Sequence, residues 1–170
     1  MPEDGNRYEA IDGELYVTPA PSRRHQWVSG KLERELCRLL QEAGHGWVYH
    51  AHIGVEFPRT EEGVQPDIIF VSKARAELLV QEGIRGAPDL VVEIVSPGTA
   101  ERDRTIKKKL YQRQDVAQYR IVDPDAETVE VWDFEAGAAE PVRCAERLPV
   151  NFSGRQLGDI RLTNLFAPEL

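Results

Sequence analysis

Hydrophobic and polar positions alternate, cluster and repeat along this chain in ways that separate strands from helices. Tyr8-Glu9-Ala10-Ile11 and Glu14-Leu15-Tyr16-Val17 flank Asp12-Gly13. Asp-Gly between two such runs predicts a β-hairpin, because both turn positions take positive φ. Ser22 then N-caps a predicted helix running to about Ala43, with Val28, Leu32, Leu36, Leu39, Leu40 and Ala43 as its apolar stripe. From Trp47 to Phe57 the pattern has period two and predicts one strand, with Trp47, Tyr49, Ala51, Ile53, Val55 and Phe57 on the buried face. Val64 to Val71 is predicted as a second strand, and Lys73 to Gln81 as a short helix capped by Ser72. Leu90 to Val95 is a continuous apolar run, the pattern of a strand buried on both faces. A helix follows from about Glu101 to Gln114, anchored by Ile106 and Leu110, then strands at Gln118–Val122 and Thr128–Phe134. Beyond Glu135 the pattern weakens to one strand near Val142–Ala145 and an apolar end at Leu162, Leu165 and Phe166.

Strand–helix–strand in the middle of this order predicts a right-handed parallel crossover, whereas the two strands before it can be antiparallel. The expected architecture is α/β, a mixed sheet flanked by helices with an N-terminal β-hairpin. At 170 residues the chain is expected to be one domain, 1–170, long enough to bury a core.

One residue breaks the apolar pattern in an informative place. Glu93 stands between Val91-Val92 and Ile94-Val95, where a carboxylate loses most of its water and must be neutralised, ion-paired or bound to a metal. Alternation puts Asp89, Val91, Glu93 and Val95 on one face of that strand. Asp67, in Pro66-Asp67, opens the preceding sheet strand, and if the two strands are neighbours both carboxylates converge. A hard divalent cation is the usual compensation for such a pair. On the following helix Asp103, Lys107 and Tyr111 recur at i, i+4 and i+8, hence as one stripe that can aim Lys107 at the carboxylates. The plainer alternatives are a buried ion pair for Glu93, a solvated basic face for Lys107 and a structural role for His25.

Composition narrows the classes. Asp+Glu exceed Lys+Arg by 29 to 21, a net charge of −8 that repels polyanions unless basic residues gather on one surface. Arg104, Lys108 and Lys109 on the same helix are the candidates for holding a phosphate backbone. Cys37 and Cys144 are far apart and indicate neither a disulfide framework nor a Cys-rich metal site. The N-terminus has no basic or apolar leader and no run suits a membrane span, so the expectation is a cytoplasmic protein without membrane contact.

Six ordered motifs carry a family resemblance. They are Tyr-Glu…Asp-Gly-Glu-Leu (8–15), Pro-Ser…His (21–25), Pro-Asp (66–67), Pro-Asp-Leu-Val-Val-Glu-Ile-Val-Ser-Pro (88–97), Asp…Lys…Tyr (103, 107, 111) and Tyr-Arg-Ile-Val-Asp-Pro (119–124). The chain resembles the PD-(D/E)xK nuclease superfamily and, more closely, its Uma-two type of restriction endonuclease, over roughly residues 7 to 134. The resemblance implies an αβββαβ core, with Asp67 and Glu93 as ligands of Mg²⁺ or Mn²⁺. It implies a metal-dependent endonuclease hydrolysing phosphodiester bonds, of DNA more than of RNA, and a homodimer or higher homo-oligomer. Glu14, His25, Asp89, Asp103 and Tyr111 are supporting candidates. The superfamily's Lys belongs two residues after the Glu, where Val95 stands; in this branch it is expected on the next helix, as Lys107. The alternative is a catalytically inactive nuclease-like fold that binds nucleic acid or serves assembly.

Overall fold

The computed structural model describes residues 4–169. The hairpin forms as its turn demands: β1 (Arg7–Ile11) and β2 (Glu14–Thr18) pair antiparallel, with φ of 51° at Asp12 and 77° at Gly13. Ser22 caps α1 (Arg23–Leu36), its Oγ accepting from His25 N at 3.2 Å, and the helix ends in a π-helical turn, Cys37–Gln41. Val28, Leu32, Leu36, Leu39 and Leu40 are buried as expected, but Ala43 is exposed because the helix has already ended.

The long strand predicted at 47–57 is two strands. β3 (Gly46–His50) and β4 (Val55–Phe57) join different sheets, and the buried residues of β3 are Gly46 and Val48, with Trp47 and Tyr49 only half-buried. The predicted second strand divides likewise into β5 (Glu62–Val64) and β6 (Ile68–Ser72). Pro66 has no N–H for a ladder, so the chain changes sheet around it. The short helix ends early: a 3₁₀ turn at Lys73–Leu78 leads into a small hairpin, β7 (Leu79–Val80) and β8 (Gly83–Arg85). The Ser72 hydroxyl does not cap that turn. Its backbone N–H instead donates to Asp89 Oδ2 at 2.7 Å.

The central strand β9 (Leu90–Ile94) is buried throughout. Helix α2 follows in three joined pieces, Ala100–Arg102, a π-helical turn at Asp103–Lys107, and Lys108–Arg113. Its buried residues are Asp103, Lys107, Leu110 and Tyr111, while Ile106, expected as an anchor, is half-buried. β10 (Gln118–Asp123) runs parallel to β9, and β11 (Thr128–Asp133) returns antiparallel. β12 (Val142–Cys144) matches the weak expectation. The hairpin β13 (Arg147–Phe152) and β14 (Arg155–Arg161), and the short helix α3 (Leu162–Leu165), were not anticipated.

The main sheet has the order β12-β11-β10-β9-β6-β3, and the smaller sheet β2-β1-β5-β4-β8-β7. One face of the main sheet presents Val48, Ile68, Phe70, Val92 and Ile94 to α1 and the C-terminal hairpin. The other presents Ile69, Val91, Val95, Tyr119 and Ile121 to Leu110 and Tyr111 of α2 and to Ile11, Val55 and Val64 of the smaller sheet. The sequence α1, β3, β6, β9, α2, β10 is the expected αβββαβ core. Leu148 of β13 is wholly buried in the first of these layers. Leu148→Ala should therefore cost about 2–5 kcal/mol by urea unfolding and shift a single transition; a separate early transition would show that the C-terminal hairpin unfolds on its own.

Candidate active site

β6 and β9 are antiparallel neighbours with Ile68 opposite Val92, so one step further the ladder sets Asp67 opposite Glu93. The sheet does not continue regularly there. Instead the Asp67 side chain takes over from the backbone, Oδ2 accepting from Ile94 N at 2.8 Å. The same oxygen lies 3.1 Å from His25 Nε2, and Oδ1 accepts from Arg7 Nη1 at 2.8 Å. An ionised carboxylate only accepts, so the His25 proton at this contact sits on Nε2. Burial works to raise the Asp67 pKa, yet His25, Arg7 and the Ile94 N–H together hold it below its ordinary value.

Glu93 enters the same region from the middle of β9. Its Oε1 accepts from Lys107 Nζ at 2.9 Å and from Tyr111 OH at 2.7 Å. Lys107 Nζ also donates to Glu9 Oε1 at 2.8 Å and lies 3.8 Å from Asp103 Oδ1. The helical stripe read from the sequence thus holds: α2 turns Asp103, Lys107 and Tyr111 toward Glu93, and all three are buried. Burial pushes the Glu93 carboxyl up to about 8, against the pull of Lys107 and with help from Asp103, Asp67 and Glu9. Burial alone would lower the Lys107 pKa, but Glu93, Glu9 and Asp103 outweigh it and raise it. Burial likewise lifts Asp103, and lifts Tyr111 well above its usual range.

Arg7 and Glu9 were not among the sequence candidates. They alternate with buried Ile11 along β1, and that phase was the available signal: a hairpin whose inner face carries Arg and Glu must satisfy both inside. Two supporting candidates lie elsewhere. Glu14 is exposed on β2 and accepts from Tyr16 OH at 3.0 Å. Asp89 ties the start of β9 to Ser72 N at 2.7 Å and to Arg75 at 3.5 Å. On the outer side of α2, Arg104 is engaged by Asp123 at 3.0 Å and Glu130 at 3.1 Å, Lys108 lies over the Trp132 ring at 4.5 Å, and Lys109 is exposed.

Two clefts of about 260 and 250 Å³ reach the Asp67 side of this cluster and share Arg7, Pro21 and His25 in their walls, while Glu93 and Lys107 line neither. The first is also lined by Thr18, Ser22, Ser96, Thr99 and Arg102. His25 Nδ1 and Arg102 Nε are buried with no hydrogen-bond partner among the described residues. The second cleft carries Asp67 itself with Glu33, His50 and His52. In charge terms, four buried carboxylates (Glu9, Asp67, Glu93, Asp103) face two buried permanent cations (Arg7, Lys107). Without metal, the raised Glu93 and Asp103 carboxyls relieve that excess by keeping protons; the all-oxygen acid set fits a hard divalent cation, which would hold them ionised. Among the described residues no group of three or more His, Cys, Asp or Glu is arranged as a metal cage. Mg²⁺ ordinarily needs no cage, since one or two carboxylates with water and substrate phosphates suffice.

The αβββαβ core, with β6 and β9 side by side at its centre, is that of the restriction-endonuclease-like nuclease fold. The chain belongs to the Uma2 family, described as "Putative restriction endonuclease", whose model matches residues 1–163. In fold it is similar to a crystal structure described as that of "a putative nuclease" from Anabaena variabilis, with a TM-score of 0.79 and 20% identity over 98% of this chain and 93% of that one. It is also 25% identical over 127 residues to the uncharacterized protein slr1290 of Synechocystis, a match spanning 74% of this chain and 65% of that relative's length.

The Glu93 environment sets a pH dependence. With its folded pKa raised from 4.5 to about 8, Glu93 binds its proton more tightly folded than unfolded. The resulting penalty is absent below the unfolded value and grows as pH rises through the folded one. Melting curves without divalent metal, from about pH 5 to about pH 9, should fall more steeply for wild type than for Glu93→Gln. Parallel profiles would mean that Lys107 keeps Glu93 ionised across the whole range.

Proposed function

We propose that the protein is a metal-dependent endonuclease that hydrolyses phosphodiester bonds of nucleic acid, DNA in preference to RNA. The observation that carries this reading is the meeting of Asp67 and Glu93 at the junction of β6 and β9, with Lys107 within hydrogen-bond distance of Glu93. Asp67 and Glu93 would hold Mg²⁺ or Mn²⁺, which supplies Lewis acidity toward a phosphoryl oxygen and lowers the pKa of bound water. Arg7 and His25 fix the Asp67 carboxylate from two sides. Tyr111 and Lys107 fix Glu93, and through it the buried Lys107 charge would act on the metal and its water without touching the substrate. The cleft containing Arg7, Arg102, Ser96 and Thr99 offers the cations and hydroxyl groups that suit phosphate oxygens. Lys109, exposed on α2, offers a cation for a backbone contact. A homodimer, each subunit cutting one strand, completes the proposal.

A second reading has an observation of its own. Both oxygens of Asp67 and Oε1 of Glu93 already have partners on the chain. Such a saturated network suits a fold that retains the site as an internal ion-pair cluster and binds nucleic acid or assembles without cutting.

Plasmid nicking in Mn²⁺ or Mg²⁺, with calorimetric metal binding alongside, separates the two. The nuclease reading expects cleavage that EDTA abolishes, and a loss on the order of 10²-fold or more in rate for Asp67→Asn and for Glu93→Gln. No metal binding and no cleavage by wild type would establish the second reading. Lys107 is buried and cannot meet a backbone phosphate, so Lys107→Gln should lower turnover while leaving the salt dependence of DNA binding unchanged. Lys109→Ala should reduce the salt slope by about one unit with little effect on turnover.

A further inference from the structure

Arg120 is the largest fully buried side chain among the described residues, 1% exposed. It alternates with Tyr119 and Ile121 on β10, so its side chain leaves the sheet on the face opposite the candidate active site, toward β13. There Nη2 donates to Pro149 O at 2.9 Å, while Nε and Nη1 have no partner among the described residues. No carboxylate forms an ion pair with it among those residues. Burial lowers its pKa to about 10, which still leaves it charged at neutral pH. The Cys144 thiol is itself pushed up by burial, beyond what Arg120 offsets, so it stays neutral and supplies no counter-charge. A buried cation with a single neutral acceptor is costly, and protein interiors do not ordinarily leave one so.

Arg120 also lines a cavity of about 100 Å³ between the main sheet and β13, walled by Leu40, Phe70, Leu90 and Val150. Asn151 and Ser153 add neutral polar groups, and the cavity shares Gln118, Asn151 and Ser153 with a shallower cleft of about 470 Å³ that provides a route from solvent. Two carboxylates belong to the lining as well. Asp89 is already engaged by Ser72 N and Arg75. Glu135 is exposed and lies on both the cavity and the cleft.

We infer that this cavity is a binding site for one small monovalent anion, of the class of halide, nitrate or formate, held by the unpartnered N–H groups of Arg120. The volume is that of a few water molecules at most, which excludes a nucleotide. The acidic residues in the lining disfavour a second negative charge, which argues against phosphate. The site lies on the opposite face of the sheet from Asp67 and Glu93 and is independent of the nuclease reading.

The test is thermal melting of the full chain at constant ionic strength, with sodium gluconate replaced stepwise by bromide, nitrate or formate. Gluconate is too large for the cavity and serves as the inert reference. Wild type should gain stability saturably, by about 5–10 °C at a hundredfold excess over Kd. Arg120→Met should show no saturable gain and should melt at or above wild type in gluconate, because the buried charge is gone. Should Arg120→Met fail to fold, Arg120→Lys takes its place, and it should shift the midpoint of the anion titration to higher concentration. Crystals in bromide should show an anomalous peak beside Nη1. Equal anion responses in wild type and variant would overturn the inference. So would a cavity holding only water in bromide, or one filled by the Glu135 carboxylate with Glu135→Gln abolishing the stability difference.

Discussion

An ammonium group that water scarcely reaches needs opposite charge within hydrogen-bond distance, and Lys107 obtains it from two strands in different sheets. Glu9 comes from the N-terminal hairpin, 98 residues away, and Glu93 from the centre of the main sheet. Satisfying Lys107 therefore fixes how the smaller sheet lies on the larger one and how α2 is rotated above both. The π-helical turn at Asp103–Lys107 belongs to the same constraint, since it lies where the helix must keep Asp103, Lys107 and Tyr111 on one side. Removing one member of such a buried network costs about 3–5 kcal/mol, whereas the intact network adds little net stability over an apolar packing of the same shape. Its specificity lies in geometry: few arrangements of hairpin, sheet and helix satisfy all of its members at once.

The parts of this cluster that could be read from the sequence are those whose surroundings are local. Glu93 announces itself because its neighbours in the chain are its neighbours in the strand, and Lys107 with Tyr111 because helical spacing is a local rule. Asp67 required only that two successive strands of the main sheet be adjacent, and they are. Arg7 and Glu9 depend on which face of a hairpin meets a distant sheet, and the alternation that places them was visible only through Ile11. The change of sheet after His50 and again around Pro66 was hidden because a period-two pattern is the same whichever sheet receives the strand. Glu14 lies apart from the cluster for a related reason: it follows the turn, and its strand β2 forms the outer edge of the smaller sheet.

The C-terminal hairpin shows a different limit. Its turn is Ser153-Gly154, both at positive φ, flanked by Leu148 and Val150 on one side and Ile160 on the other, so the turn chemistry was present. The flanking alternation is diluted by Arg147, Arg155 and Gln156, which are exposed because only one side of this hairpin is covered. A half-covered hairpin far along the chain carries too few apolar positions to stand out. Its burial against β9 and β10 comes from the whole fold.

The two faces of the main sheet end with charge imbalances of opposite sign. On one side, four carboxylates meet two permanent cations around Glu93; on the other, Arg120 has no ion-pair partner among the described residues. Glu93 and Arg120 lie on adjacent parallel strands, Ile121 opposite Glu93 and Arg120 opposite Val92, yet their side chains leave in opposite directions. Coulombic attraction through a sheet cannot replace hydrogen bonds, because each buried charged atom also needs a donor or acceptor in contact. Neither imbalance can therefore correct the other. On the two readings proposed above, each face takes a partner of its own, a cation among the carboxylates and an anion at the guanidinium. The same alternation that builds the core has separated those two requirements by the thickness of one sheet.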